Sequence, residues 1–531
     1  MDTAFKMTFL NPNSAVIGLF VVCVLTRLLF PKRLPAPLPP GPPPKPLIGN
    51  LKDLPSAQDQ DWIHWWKFKD LYGPISSLTT WGQTFIILND ARFAVELFEH
   101  RSKWHSDRPH MRFAGEMSGC GNILGFMRWT NRPKAIRKAM NKEIGSKAAI
   151  SRFNGLQKVE ARRFLLRVLQ SPKDLTDHIR KEAGAVVLKL TYGYTIEPHA
   201  RDPLVDLADV AMQYFSLVGR YGDWLVDFVP FLKYLPAWFP GAEFVRIAQK
   251  STQAFLEFGG KPYAFTKQQM SQDNFHQSYL SNLLESEDVK PGSEREYVIK
   301  WSAASLYAGG ADTTVSTMSC FFLAMALYPE VQRKAQEEID RVVGERLPEF
   351  SDRESLPYIE AMVKELLRWH PVVTAGVSHV STHDDMCNGY FIPKGSNIIN
   401  NVWAFTRDPE VYSEPNEFKP ERFLGENPEL DPRRLVFGFG RRICPGRVLA
   451  DSAVYINIAE SLAVFNITKK VENGKVIEPK VSFQPGLISH PEPYEVTVKP
   501  RSPVHEELIR AVEVDYPWEP SHAADLEQVK Y

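Results

Sequence analysis

Between about residue 51 and residue 500 apolar positions recur mostly at three- and four-residue spacing, the period of helices that bury one face. Short runs break this pattern in the way strands do, at 84–89 ("TFIILN") and 494–500 ("YEVTVKP"). Residues 296–328, "EYVIKWSAASLYAGGADTTVSTMSCFFLAMALY", keep few charges over roughly nine turns and stop before Pro329, so this helix must cross the core. A second helix starts after Pro357 and stops at Pro371, which puts Glu365 and Arg368 on one face. The expected fold is one large domain, residues 51–500, mainly α with small β-sheets (α+β).

The flanks read differently. Residues 14–30, "SAVIGLFVVCVLTRLLF", are nearly all apolar, with Arg27 at the margin, and no small-residue cleavage site follows. Residues 1–30 are therefore expected to be an uncleaved membrane anchor. Arg27, Lys32, Arg33 and Lys45 follow the apolar run and place the rest of the chain on the cytosolic side, where the sequon at Asn466 is unglycosylated. Residues 31–50 are a stiff proline-rich hinge, and 501–531 a polar, poorly packed C-terminal tail.

Composition narrows the function. The chain is 44% hydrophobic, and Lys plus Arg equals Asp plus Glu at 63 each, so no net field draws it to nucleic acid, which it is expected not to bind. The five cysteines, Cys23, Cys120, Cys320, Cys387 and Cys444, are odd in number, widely separated and without a C-x-x-C pair. That argues against a disulfide framework and a structural zinc site.

Cys444 stands out by its neighbours, "FGFGRRICPG". A dinucleotide loop fails on spacing, because the third glycine of G-x-G-x-x-G falls on Ile443. An inert cysteine in a structural turn is the plainer alternative. Against it, Gly440 and Gly446 permit close backbone approach to a planar object, Arg442 can meet an anion at its edge, Pro445 stiffens the turn and Phe437 lies on the approach. Holding a haem through an axial thiolate requires this set.

With these residues the chain resembles the cytochrome P450 family of haem-thiolate monooxygenases. The signature F-x-x-G-x-R-x-C-x-G is complete as Phe437, Gly440, Arg442, Cys444 and Gly446, and "GGADTT" (309–314), "ELLR" (365–368) and "PERF" (420–423) precede it in the family's order. The resemblance implies haem b bound through the Cys444 thiolate, proton delivery to dioxygen by Asp312 and Thr313, and a buried structural network of Glu365, Arg368 and Arg422. Gly309 and Gly310 within a helix cost about 1 kcal/mol each against Ala, so they are expected to widen a groove over the iron. A polar helix interior bonded back to the preceding turn is the alternative.

One departure is visible. The family's W-x-x-x-R aligns its Arg with Arg137 but its Trp with Pro133, and the nearest Trp is Trp129. Propionate binding then rests on Arg442 and Arg137, with His379 assisting. The expected cavity walls are 113–126, Leu306, 372–374 and 486–488. Also implied are a hydrophobic small-molecule substrate, a separate NADPH-dependent reductase, and a single-pass place in the endoplasmic reticulum membrane, in the manner of fungal secondary-metabolism or xenobiotic-oxidising members. Two other readings stay open: an oxygen-independent haem-thiolate isomerase or dehydratase, and a non-catalytic haem-binding membrane protein.

Overall fold

The structure is a computed structural model that describes residues 34–56, 58–220, 222–286 and 289–531. The expected anchor lies outside the described residues. Among the described residues no single helix is long and apolar enough to cross a membrane.

Helix α1 (Asp61–Tyr72) leads into the hairpin β1 (Ile75–Thr80) and β2 (Gln83–Leu88). A helical body follows: α2 (Asn131–Ile144), α3 (Asn154–Gln170), α4 (Leu175–Tyr192), α5 (Pro203–Val218), α6 (Glu243–Ser271), α7 (Glu294–Ala311), α8 (Thr313–Leu327) and α9 (Pro357–Trp369). The chain then returns to the first sheet as β3 (His379–Val380) and β4 (Asn397–Asn400). The order is β1-β2-β4-β3, with β2 and β4 parallel and Phe85 opposite Asn397. This pairing closes the molecule, because the helical body lies between two neighbouring strands and must pack back on them. Helix α10 (Arg447–Val464) runs through the core into β5 (Phe465–Lys469), which pairs antiparallel with β6 (Val496–Pro500).

Three expectations change. The long helix is two helices, broken at Asp312, whose backbone (φ −121°, ψ −33°) ends α7 and starts α8. The hinge is docked from Pro37 onward: prolines lack N–H groups, but the carbonyls of Pro39 and Pro40 accept from Ser77 Oγ and Ser77 N–H at 2.6 and 2.8 Å along the edge of β1. The tail is packed as well. It forms α11 (Pro503–Asp515), which buries Ile509 and Val512 against the core that includes α3. Beyond it Tyr516 accepts from Arg162, and Trp518 lies under the Arg163 guanidinium at 5.1 Å. A polar composition hid one apolar stripe and two aromatic covers for the arginines of α3.

Candidate active site

Cys444 sits between a tight turn, Gly440–Arg442, and the first turn of α10. Its N–H donates to the Phe437 carbonyl at 2.8 Å, which closes the loop. The N–H groups of Gly446 and Arg447 are directed at Sγ. Burial pushes this thiol up, and those donors together with the charges of Arg137 and Arg447 pull it back. Cys120 and Cys320 are fully buried where Cys444 is half-buried, and burial drives their thiols far higher. Donors and cations gathered at one sulfur favour its thiolate. A Cβ at Gly446 would stand 4.0 Å from Sγ, whereas one at Gly440 (φ +51°) would lie 2.0 Å from the Phe98 carbonyl oxygen. Gly440 is therefore required by the close approach of the Phe98 carbonyl.

A cavity of about 350 Å³ opens at Cys444, with Phe437 and Gly446 on one side and Leu306, Gly309 and Thr313 on the other. Val372, Val373, Leu487, Ile488 and the unforeseen Phe215 of α5 complete its walls, most of them apolar. Of the expected loop 113–126, Ile123, Leu124 and Gly125 reach the cavity, while Phe113 stacks on Trp224 at 3.9 Å. Thr374 and Gly486 lie off this wall.

The helix break divides the glycines and the acid–alcohol pair. A Cβ on Gly309 would meet open space, and one on Gly310 would strike Val187 Cγ2 of α4 at 2.7 Å, so the first opens the cavity and the second lets α7 approach α4. Thr313 faces the cavity and its Oγ1 donates to the Gly309 carbonyl at 2.6 Å, the back-bond that bends helices. Asp312 faces away from it, and its Oδ1 lies 3.1 Å from His490 Nε2.

At the edge of the cavity three guanidiniums converge, those of Arg108, Arg137 and Arg442. Arg442 donates to the carbonyls of Ser106 and Met127, both at 2.7 Å, and its buried Nη1 has no partner. Arg137 donates through Nη1 to the Ile443 carbonyl at 2.6 Å, and its buried Nε has none. Arg108 is held by the carbonyls of Gly125, Val377 and Ser378. Burial, then the charges of Arg442 and Arg137, pulls Arg108 well below the ordinary arginine value; burial, then Arg137, pulls Arg442 down to about 9. The carboxylate acting on Arg108 and Arg442, Asp107, is taken up by Arg128 and by the N–H groups of Arg108 and Trp129. Buried like charges without an anion are costly, so the trio is a built receptor for carboxylates. His379 lies at the same wall, its Nδ1 2.7 Å from the His105 carbonyl, and burial, then the Arg108 charge, keeps it neutral.

Behind α9, Glu365 accepts from Arg368 Nε and Nη2 at 2.7 and 2.8 Å, from Arg422 Nε at 3.1 Å and from the Lys419 N–H at 2.7 Å. The side chains of Glu365, Arg368 and Arg422 are 0% exposed. Arg368 also donates to the carbonyls of Thr406, Pro415 and Glu417, so the network straps the segment before the Cys444 loop to α9.

Residues 39–498 match the family model described as Cytochrome P450. The chain belongs to the cytochrome P450 family. It is 49% identical over 523 residues to the cytochrome P450 monooxygenase ppsD of Aspergillus oryzae, covering 97% of this chain and 99% of that one. The cytochrome P450 monooxygenase claR of Ampulloclitocybe clavipes is 47% identical (92% and 91% covered), and the O-methylsterigmatocystin oxidoreductase of Aspergillus flavus 44% (96% of each).

As a P450 the protein is a monooxygenase that carries haem on a cysteine thiolate. The residues present fit that group: a sulfur met by two N–H donors, an apolar cavity above it, and orphaned guanidinium nitrogens where the two propionates of a haem b bring charge. Arg108 was not foreseen, since the only sequence sign was an arginine before Pro109 in a loop. The missing tryptophan is replaced in part: Pro133 stands third in α2, where N–H groups are free of helical partners, and the Trp129 ring lies 4.7 Å from the Arg442 guanidinium.

Proposed function

We propose that this P450 oxidises an apolar small molecule of fungal secondary metabolism, with electrons from a separate NADPH-dependent reductase. The observation that carries the reading is the meeting of the Cys444 sulfur and the three buried guanidiniums at one apolar cavity. The haem, when bound, supplies the iron at which dioxygen is activated. Cys444 is the residue that holds it, Arg108, Arg137 and Arg442 hold its carboxylates, and His379 assists. Thr313 keeps a hydroxyl proton at the cavity wall, with Asp312 behind it as the acid that replenishes it. Ser305 Oγ is held in place as the acceptor of the Leu124 N–H at 2.9 Å, and most of the other wall groups are apolar. Orientation therefore rests on shape and apolar contact.

The relative named as an O-methylsterigmatocystin oxidoreductase supports the pathway class. The apolar run 14–30 with Arg27, Lys32 and Arg33 supports a single-pass anchor in the endoplasmic reticulum membrane with a cytosolic catalytic domain. Panels of terpenoids, polyketides and polycyclic aromatics, screened by the shift of the ferric haem spectrum, test the reading. It expects a saturable shift with one apolar class and product formation that requires both NADPH and dioxygen. Conversion of a bound compound without dioxygen would overturn it in favour of an isomerase or dehydratase.

A further inference from the structure

The two sides of the helix break are partnered differently. Thr313 and Thr317 lie on the cavity side, where Thr317 Oγ1 donates to the Thr313 carbonyl at 3.0 Å. Asp312 and Ser316, one turn apart, meet instead the loop that follows Ile488. That loop is pinned: Ser316 Oγ donates to the Ser489 carbonyl at 2.6 Å, the Ser489 N–H donates to the Val372 carbonyl at 2.9 Å, and His370 Nε2 lies 3.0 Å from Ser489 Oγ. Held in this way, His490 places Nε2 3.1 Å from Asp312 Oδ1. The side chains of His490 and Asp312 are 22% and 14% exposed, so the imidazole reaches water while the carboxylate stands at the break next to Thr313.

We propose that His490 is the proton-entry partner of Asp312, the residue through which solvent protons reach the break between α7 and α8. The step moves one proton and no electrons. Hydronium protonates His490 at Nδ1 and leaves as water, the imidazolium gives its Nε2 proton to Asp312 Oδ1, and the imidazole returns to the Nε2–H tautomer by exchange with solvent; the carboxyl so formed passes its proton on toward the Thr313 side and returns to the carboxylate. The proposal rests on the monooxygenase reading, since only that chemistry consumes protons at Thr313. The other charged groups around the pair are committed elsewhere. Arg180 and Asp209, which line a small cleft with Asp312, pair with each other at 3.1 Å. His370 is kept neutral by burial and then by the Arg407 charge.

The test uses the haem-loaded full chain with reductase and NADPH and no organic substrate, reading hydrogen peroxide released per dioxygen consumed. When a proton fails to arrive, dioxygen leaves as peroxide and not as water. His490→Gln is expected to release a peroxide share at least about threefold higher than wild type. A His490→Gln peroxide share equal to that of wild type overturns the proposal. A second readout is independent of turnover: in 15N-histidine-labelled protein in its diamagnetic ferrous carbon monoxide form, the exchange-protected Nε2 proton signal that disappears in His490→Gln should also disappear in Asp312→Ala, and its survival there contradicts the pairing. Loss of the thiolate-type spectrum in wild type itself would instead strike the monooxygenase reading.

Discussion

The Arg442 guanidinium lies 4.7 Å from the centre of the Trp129 ring, and one of its nitrogens is buried without a partner. The ring supports the cation from one side, and the free nitrogen marks where an anion belongs. Arg137 repeats the free buried nitrogen at the same wall, and Arg108 adds its charge there.

Removal of any one of these arginines takes at least one charge-assisted hydrogen bond, worth about 1.5–3 kcal/mol, from a bound carboxylate. Haem content per polypeptide should fall clearly in Arg442→Ala, Arg137→Ala and Arg108→Ala. Trp129→Phe keeps the aromatic face and should lose little. Equal loss in Trp129→Phe and Arg442→Ala, read by haem-to-protein absorbance, would show that the buried Trp129 Nε1 itself holds the propionate.

Thr313→Ala removes the hydroxyl that faces the cavity and leaves the haem cradle untouched. The variant should retain haem and ligand-induced spectral shifts while NADPH is diverted to peroxide. Unchanged coupling of NADPH to product would assign Thr313 only the back-bond to Gly309.

Glu365→Gln weakens the acceptor shared by Arg368, Arg422 and the Lys419 N–H and leaves the buried Arg368 guanidinium without its anion, while Arg422 keeps Glu429 at 2.8 Å. Breaking a buried pair in this way costs about 3–5 kcal/mol. Thermal unfolding should show a large drop in Tm, accompanied by haem loss on heating.

How much of this was legible in the sequence depends on chain distance. The Cys444 loop and the Glu365–Arg368 spacing are local, so glycines, prolines and helical period expose them. Arg108 and His490 act from loops far from the residues they serve, Arg137 and Arg442 in one case and Asp312 in the other, and no spacing rule joins such pairs. The break at Asp312 is not legible because no proline marks it; the departure lies in the backbone and in one threonine back-bond. Gly440 carries a second reason that its motif does not show, the close approach of the Phe98 carbonyl.

Glu182 of α4 reaches the cavity wall and accepts from Asn457 Nδ2 at 3.0 Å, and burial pushes its carboxyl up to about 7. The unfolded chain releases this proton first, near the ordinary glutamate value of about 4.3. Stability is therefore lost as pH rises from that value to about 7 and stays lower above it. Glu182→Gln should match wild type in unfolding free energy at about pH 4 and exceed it by about 1–3 kcal/mol at about pH 8, which appears as a higher Tm. Equal Tm values at both pH values would mean that the carboxyl ionises as readily in the folded protein as in the unfolded chain.

The central claim is that Cys444 holds the haem iron through its thiolate. The direct measurement is the absorption spectrum of the dithionite-reduced, carbon monoxide-bound protein, wild type beside Cys444→His. The account predicts the red-shifted Soret band of a thiolate haem in wild type and its replacement by the histidine-type band in the variant. A red-shifted band that persists in Cys444→His would contradict it.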